Sequence, residues 1–165
     1  MQEILTDDLL EELLRSPDPV KFAAKYKITD RSLPEYLQEL LEEKGLRRPD
    51  VIREAQIGET YGYYIFTGQR NPKRDFVIRL ALAMDCTLLE TNRLLQVAGL
   101  NRLYCKNRRD VIIIFGIDHG YSLQQVDEQL YRFGEDTLQE SSEASSAASS
   151  EGDASGVRAR SGLAR

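Results

Sequence analysis

The chain has 165 residues, with 41% apolar residues, 22 lysines and arginines, 27 aspartates and glutamates, and a formal net charge of -5. This composition suits one globular domain with appendages, and its longest apolar run, "VIIIFGI" at 111–117, is too short to span a bilayer. Two cysteines and one histidine provide no disulfide framework or zinc motif, and the acidic start "MQEILTDDLLEELL" differs from a basic signal peptide, so we expect a cytoplasmic protein without a membrane partner.

Residues 1–31 are predicted to form a helical extension. The segment "TDDLLEELLR" (6–15) has Thr6 as a candidate N-cap, acidic residues in its first turn and leucines at helical spacing. The segment "SPDPVKFAAKYK" (16–27) begins a second helix, with Asp18 as its N-cap and Pro19 in the first turn.

Residues 32–100 are predicted to form a bundle of five helices. In the first helix, Ser32 and Glu35 form a capping box and Gly45 is the stop signal. The second and third helices are short and separated by only a few residues. The five segments, in chain order, are "SLPEYLQELLEEKG" (32–45), "RPDVIREAQ" (48–56), "ETYGYYIF" (59–66), "RDFVIRLALAM" (74–84) and "TLLETNRLLQVAG" (87–99).

Residues 101–138 are predicted to form a C-terminal helical hairpin. The isoleucines of "NRRDVIIIFGIDHG" (107–120) would also suit a buried strand, but Asn107 can cap a helix, Gly120 can end it, and no second strand exists to pair with it. The segment "SLQQVDEQLYRF" (122–133) follows, with Ser122 and Gln125 as a capping box. The hairpin is apolar enough either to cover the core or to form the seam of a homodimer. The fold class is therefore all-α.

The remaining segment, residues 139–165, is rich in serine, alanine and glycine. It cannot bury enough apolar surface to offset the entropy of ordering, and it is predicted to be a disordered tail.

The charge is concentrated in the middle of the chain. Between Lys44 and Arg109 there are 13 lysines and arginines and 6 aspartates and glutamates, a net of +7, so the rest of the chain carries -5 minus 7, or -12. A basic middle between acidic ends favours an anionic partner, although the net charge alone would argue against one.

Two short helices at a tight turn, followed by the glycine-containing basic loop "FTGQRNPKRD" (66–75), are typical of a helix-turn-helix. The segment "KGLRRPDVIREAQIGETYGYYIFTGQRNP" (44–72) resembles, without a gap, the Xre-type (lambda-repressor-like) DNA-binding family, which has a "GVS" turn and a "G-x-x-x-P" loop, and "DCTLLE" (85–90) is similar to its later "GVSLE" turn. The resemblance covers roughly 65–70 residues. The matching apolar and loop positions are Val51, Ile57, Ile65, Gly68 and Pro72.

The chain departs from the family pattern at four positions. Ile52 replaces a small alanine of the second helix, and Gly62 replaces a branched apolar residue of the recognition helix. Because these two positions face each other in the family, the resemblance implies that bulk has moved from one helix to its partner. Gln56 stands in place of the turn glycine and Phe66 in place of a glutamate, which predicts a less tight turn.

The resemblance implies that the third helix of the bundle presents four side chains to DNA bases. Tyr63 and Tyr64 are expected to be exposed, and Tyr61 either joins them or packs against neighbouring helices. Tyrosines provide stacking and one hydroxyl each, which is a poor code for base edges. The four predicted base-facing residues are Glu59, Thr60, Tyr63 and Tyr64.

The loop after a recognition helix lies along the phosphate backbone, so the resemblance implies backbone contacts from Gln69, Arg70 and Lys73. Arg47 and Arg48, at the start of the second helix of the bundle, would meet the opposite backbone. The partner would be double-stranded DNA and the protein a bacterial transcriptional regulator.

Other interpretations stay open at this point. Lys106, Arg108 and Arg109 either extend the DNA footprint or only solvate the start of a helix. The tyrosine-rich helix and Phe66 instead favour a non-enzymatic adaptor that binds a protein partner with the same fold. No grouping of nucleophile, base and orienting residue indicates an enzyme, and no cofactor is expected.

Overall fold

The computed structural model describes residues 6–26 and 31–139, and in these ranges every regular element is an α-helix. The predicted all-α class is confirmed. The longest helix has 12 residues, whereas about 20 are needed to cross a bilayer, so no helix in the described ranges could do so. The helices are α1 (Thr6–Arg15), α2 (Pro19–Lys25), α3 (Leu33–Lys44), α4 (Arg48–Glu54), α5 (Glu59–Thr67), α6 (Arg74–Ala83), α7 (Leu88–Val97), α8 (Arg108–Asp118) and α9 (Leu123–Arg132).

Side-chain caps determine where most of these helices begin. Asp18 accepts hydrogen bonds from two backbone N–H groups at the start of α2, and Ser32 and Ser122 form the predicted capping boxes of α3 and α9. Thr87 forms a further capping box at α7, with Glu90, that was not predicted from the sequence. α1 already includes Thr6, the residue predicted to precede it as N-cap.

The isoleucine-rich segment forms helix α8, as its flanking residues predicted. The Asn107 side chain accepts a hydrogen bond from the Asp110 N–H at 3.0 Å, and the chain leaves the helix through Gly120, whose φ is +69°. A positive φ is easily adopted only by glycine, so Gly120 ends the helix through its backbone conformation and not through packing.

The chain divides between Arg31 and Ser32 into two compact units. In the first unit, the Glu12 carboxylate accepts a 2.8 Å bond from the Lys25 ammonium and a short one from the Tyr26 hydroxyl. These bonds connect α1 to the end of α2, and they lower the pKa of Glu12.

One hydrophobic core joins α3–α7 to the C-terminal hairpin in the second unit. α8 packs on α7 and α9, and α9 packs on α6. The hairpin therefore covers the core, which was one of the two alternatives left open by the sequence. The largest fully buried side chains are Leu37, Leu40, Val51, Ile65, Ile78, Leu80, Met84, Leu94, Leu95, Ile113, Leu130 and Leu138.

Two ion pairs attach the start of α8 to the start of α6. Arg74 makes two bonds to Asp110, at 2.8 and 2.7 Å, and Arg109 makes two bonds to Asp75, at 2.9 and 3.1 Å. Paired, planar bonds of this kind fix both distance and orientation. These two ion pairs therefore fix the position of the hairpin against the bundle.

The described chain ends at Gln139, where the disordered tail was predicted to begin. Gln139 is half-buried in a turn, directly after the fully buried Leu138. The remainder of the predicted tail, residues 140–165, lies outside the described residues.

Candidate nucleic-acid interface

The turn between α4 and α5 consists of Ala55, Gln56, Ile57 and Gly58. Ala55 and Ile57 are buried, while Gln56 is exposed and has a φ of +56°. Gln56 thus adopts the left-handed conformation that is typical of glycine, although it carries a side chain.

A buried arginine supports this turn from the inside. Arg79 of α6 is only 2% exposed and donates from Nε to the Ala55 carbonyl at 2.9 Å, and from Nη2 to the Gln56 carbonyl in a short bond. Burial lowers the pKa of Arg79 from its ordinary value. Hydrogen bonds from a charged group to these two carbonyls stabilise the turn, although Gln56 has an unfavourable backbone conformation.

α4 and α5 approach each other closely at Ile52 and Gly62. A Cβ atom placed on Gly62 would lie 2.6 Å from Cγ2 of Ile52, which is shorter than a van der Waals contact. The contact between these two residues, which the family resemblance implied, is present in the structure.

The outer sides of α4 and α5 form an open groove of about 600 Å³. Five of the nine predicted contact residues line it: Arg48, Glu59, Thr60, Tyr63 and Tyr64. The Arg48 guanidinium lies 5.0 Å from the centre of the Tyr63 ring, a cation–π contact across the groove. Arg53, which was not among the predicted contact residues, also lines the groove. It follows the buried Val51 and Ile52 and is exposed, as is typical of any surface arginine, so the sequence contains no signal for it.

The tyrosines of α5 differ in exposure. Tyr63 is 44% exposed, as predicted, but Tyr64 is half-buried, so the expected exposure of Tyr64 is only partly confirmed. Tyr64 is one helical turn before Gly68 and directly precedes Ile65, which is fully buried, and this position places it on the flank of the inward face.

The two other aromatic side chains of α5 belong to the fold. Tyr61 packs edge-on against Phe76 with ring centroids 5.0 Å apart, and burial raises its pKa. Phe66 is only 8% exposed. The suggestion that Phe66 favours a protein-binding surface is therefore wrong, because its side chain is part of the core.

The loop after α5 has the rigid bend that its glycine and proline predicted. Gly68 has a φ of +82°, and the N–H groups of Gln69 and Arg70 both donate to the Tyr64 carbonyl. Pro72 is buried, while the Arg70 and Lys73 side chains are exposed. The loop thus holds its two cations outward at the C-terminal end of α5.

The third cation of this loop has a different role. Arg74 is bound to Asp110 and also donates to the backbone carbonyls of Asn101 and Arg102 at 2.9 and 3.0 Å. Burial of the Asp110 carboxyl raises its pKa, but the bonds from Arg74 and from the Tyr104 N–H outweigh this effect and lower it overall. Arg74 is therefore a structural residue and not a cation for a partner.

The second basic cluster predicted from the sequence is also largely structural. Arg109 is bound to Asp75 and to carbonyls of the C-terminal segment, and Arg108 donates to the Phe133 carbonyl at 2.8 Å. Only Lys106 of this cluster has an exposed side chain without an ion pair to any described residue. Two of the three residues that could have extended a DNA footprint thus have partners within the chain.

The predicted contact residues fall into two groups. Arg48, Glu59, Thr60, Tyr63 and Tyr64 share the groove, whereas Gln69, Arg70 and Lys73 follow at the far end of α5. Arg47 is the exposed N-cap residue of α4 and makes no capping bond with its side chain.

Cys86 is buried, and burial raises the pKa of its thiol to about 12, so it is protonated at neutral pH. Within residues 6–26 and 31–139, no three histidine, cysteine, aspartate or glutamate side chains lie together in a way that could hold a metal ion.

Comparisons of the chain with models of known protein families, with curated proteins and with solved structures find no match.

Proposed function

We propose that this protein binds double-stranded DNA through α4 and α5, which act as the helix-turn-helix of an Xre-like domain, and that it is a bacterial transcriptional regulator of the cytoplasm. The observation that carries the proposal is the division of the basic residues into two classes. One class forms ion pairs within the chain, and the other includes four exposed cations without an ion pair to any described residue, at the start of α4 and beyond the end of α5.

The cations with internal roles have well-defined partners. Lys44 binds Glu90, Arg74 binds Asp110, and Arg109 binds Asp75. These pairs account for part of the positive charge between residues 44 and 109 without any external partner. A high local charge alone would therefore be weak support for nucleic-acid binding.

Four exposed cations near the two ends of this helix pair have no such partners. Among the described residues, no carboxylate forms an ion pair with Arg47, Arg48, Arg70 or Lys73, and all four are exposed. Arg47 and Arg48 lie at the start of α4, and Arg70 and Lys73 lie beyond the end of α5. Exposed cations at the start of α4 and beyond the end of α5 are suited to the two phosphate backbones that border a major groove.

The outer face of α5 would then lie toward the bases. Thr60 and Glu59 can bond to base edges, and a glutamate accepts best from the amino group of cytosine. Tyr63 offers a ring face and one hydroxyl. These three side chains distinguish bases poorly. We therefore expect modest sequence selectivity, with most of the affinity coming from electrostatic contacts to phosphates.

A titration of duplex DNA at several salt concentrations tests the proposal. The wild-type chain should bind random duplex DNA, with log affinity falling linearly with log salt. Arg70→Glu combined with Lys73→Glu should flatten that slope by about 0.9 for each phosphate that the protein no longer neutralises, and should weaken binding to all sequences alike.

The matched control changes the same charge elsewhere. Arg102 and Arg132 are exposed and lie outside the groove and the loop. Arg102→Glu with Arg132→Glu alters net charge equally and should leave most of the slope in place. Absence of salt-dependent binding by the wild type, or equally weakened binding in both double variants, would overturn the proposal.

A second candidate function, a protein-interaction adaptor, is favoured by the apolar side chains that line part of the groove. Pro49, Ile52 and Ile57 line it together with the two tyrosines, so a hydrophobic side chain of a partner could enter. Loss of a protein partner in Tyr63→Ala, with no duplex binding by the wild type, would favour this candidate.

A further inference from the structure

One face of α8 stays uncovered after the hairpin has closed the core. The inner side of α8 contributes Ile113 and Gly116, and a Cβ on Gly116 would lie only 2.7 Å from the Val126 side chain of α9. On the outer side, Val111 and Phe115 are 44% and 51% exposed. Two large apolar side chains one turn apart on a helix form an exposed apolar strip along it.

This outer face has a symmetric pattern of charge. Arg108, Val111, Phe115 and Asp118 follow one another at intervals of three, four and three residues, so they lie along one stripe of the helix. Ile113 is the midpoint of Val111 and Phe115, and it is also the midpoint of Arg108 and Asp118. The stripe thus has opposite charges at equal distances from the centre of an apolar pair.

We infer that a second copy of this chain covers the stripe, with the two α8 helices antiparallel around a two-fold axis at the level of Ile113. The rotation places Val111 against Phe115 of the second copy. It also places Arg108 against Asp118 of the second copy, and by symmetry each contact occurs twice.

The charges favour this occupant and this direction. Parallel helices in the same register would place Arg108 next to Arg108 and Asp118 next to Asp118, which is unfavourable. The side chains of Arg108 and Asp118 are 70% and 79% exposed, so both ends of the stripe are accessible. A partner of unrelated sequence would need an apolar pair flanked by charges in the reverse order. A second copy in the antiparallel orientation presents both.

Neighbouring side chains orient the two ends of the stripe. Arg108 donates to the Phe133 carbonyl at 2.8 Å, and its Nε lies 3.5 Å from Glu135. The Phe133 side chain is itself 47% exposed. At the other end, the His119 ring stacks on Phe115 with centroids 3.8 Å apart.

The size of the face indicates how tight the dimer can be. α8 has 11 residues and is therefore about 16 Å long. A pairing of single helices of this length buries less than the roughly 800 Å² per partner of a stable interface. We expect a dissociation constant in the micromolar range and a reversible dimer.

Sedimentation velocity of the full chain, without nucleic acid, tests the inference. The wild-type mass should rise from 18.8 kDa toward twice that value as the concentration increases through the micromolar range. Phe115→Lys should keep the chain monomeric at the same concentrations. Because no DNA is present, the outcome is independent of the proposed DNA binding.

Charge reversals test the antiparallel register. Arg108→Asp places two aspartates opposite each other, and Asp118→Arg places two arginines opposite each other, so each variant alone should dimerise at least tenfold more weakly than wild type. A mixture of the two variants has an opposite charge at every contact and should recover the dimer. Arg102→Asp, an exposed change of the same charge outside α8, should dimerise like wild type.

Folding of each variant is checked by circular dichroism, because Arg108 also holds the end of α9. If Arg108→Asp does not fold, Asp118→Arg with Arg108→Glu in a separate chain repeats the mixing experiment. A wild-type chain that stays monomeric at high micromolar concentration would overturn the inference. So would dimers that are unaffected by Phe115→Lys, or a mixture of folded variants that fails to associate.

Discussion

Ile52 and Gly62 occupy the closest approach between α4 and α5, where three side-chain carbons of Ile52 lie between 2.6 and 2.9 Å from the position of a Cβ atom on Gly62. Ile52 is 5% exposed, and the glycine is buried in the interior of α5. Glycine in a helix costs roughly 0.5–1 kcal/mol relative to alanine. The contact with Ile52 explains why it is present here, since any larger residue would collide with a packed side chain.

We expect the two positions to be strongly coupled. Gly62→Ile should overpack the contact and lower the free energy of unfolding by about 1–3 kcal/mol. Ile52→Ala should leave a cavity and lower it by roughly 2–5 kcal/mol. The double variant, which moves the bulk back, should recover part of this stability, as measured by urea unfolding of all four chains. Strictly additive destabilisation would contradict the shared contact.

The turn before α5 contains strain that glycine would relieve. Gln56 has a φ of +56°, and a left-handed residue with a side chain costs about 1–2 kcal/mol. Gln56→Gly should therefore raise the free energy of unfolding, by up to about 1 kcal/mol after the added entropy of the unfolded chain.

Asp85 is the matched control for this change. It also has a positive φ, +52°, but aspartate tolerates this conformation better than glutamine does. Asp85→Gly should thus stabilise the protein less than Gln56→Gly in parallel thermal melts. A loss of stability in Gln56→Gly would show that the glutamine side chain has a contact of its own.

The ion pair between Arg74 and Asp110 should make stability sensitive to acid. The pKa of Asp110 lies below its ordinary value of 3.8, so the pair contributes stability above that value and loses it as the pH falls through the folded-state pKa. We expect the free energy of unfolding to fall as the pH drops below about 4, and Asp110→Asn to remove that part of the pH dependence.

The same variant should also be costly at neutral pH. The Asp110 side chain is 6% exposed and that of Arg74 is 26% exposed, and breaking a buried pair costs about 3–5 kcal/mol. Asp50→Asn is the control, because its pair with Arg53 is exposed and should contribute less than about 1 kcal/mol. Equal effects of the two variants in urea unfolding at pH 7 would contradict a structural role for Arg74.

Substitutions of two tyrosines of α5 should have different effects, one on DNA binding and the other on folding stability. Tyr63→Ala should change the preference among duplex sequences and leave the salt slope nearly unchanged, because an exposed ring neutralises no phosphate. Tyr61→Ala should lower the melting temperature, because its ring packs on Phe76. A Tyr63→Ala chain with unaltered preference would exclude this ring from base contact.

The C-terminal boundary makes a further prediction. Leu138 is fully buried, and its N–H donates to the Asp127 carboxylate at 2.7 Å. Leu138→Ala should lower the free energy of unfolding by roughly 2–5 kcal/mol. A chain that ends at Gln139 should melt like the full chain, since residues 140–165 contain few apolar residues to bury. A shift of several degrees on this truncation would show that the tail stabilises the fold.

The helices themselves could be predicted from the sequence because their determinants are local. Asp18, Ser32 and Ser122 cap N–H groups within three residues of themselves, and Gly45, Gly68 and Gly120 adopt the positive φ that ends a helix. The pairing of Ile52 with Gly62 was also predictable, because the exchange of a large and a small residue is visible against the family pattern.

The role of each charged residue was decided only by the tertiary structure. The sequence does not distinguish the roles of Arg70, Arg74 and Arg109. Arg74 and Arg109 bind carboxylates 36 and 34 residues away, whereas Arg70 is exposed. The burial of Tyr64 and Phe66 likewise depends on which helices pack against α5. Caps and turns act over a few bonds, whereas ion pairs and burial depend on distances between segments that only the folded chain brings together.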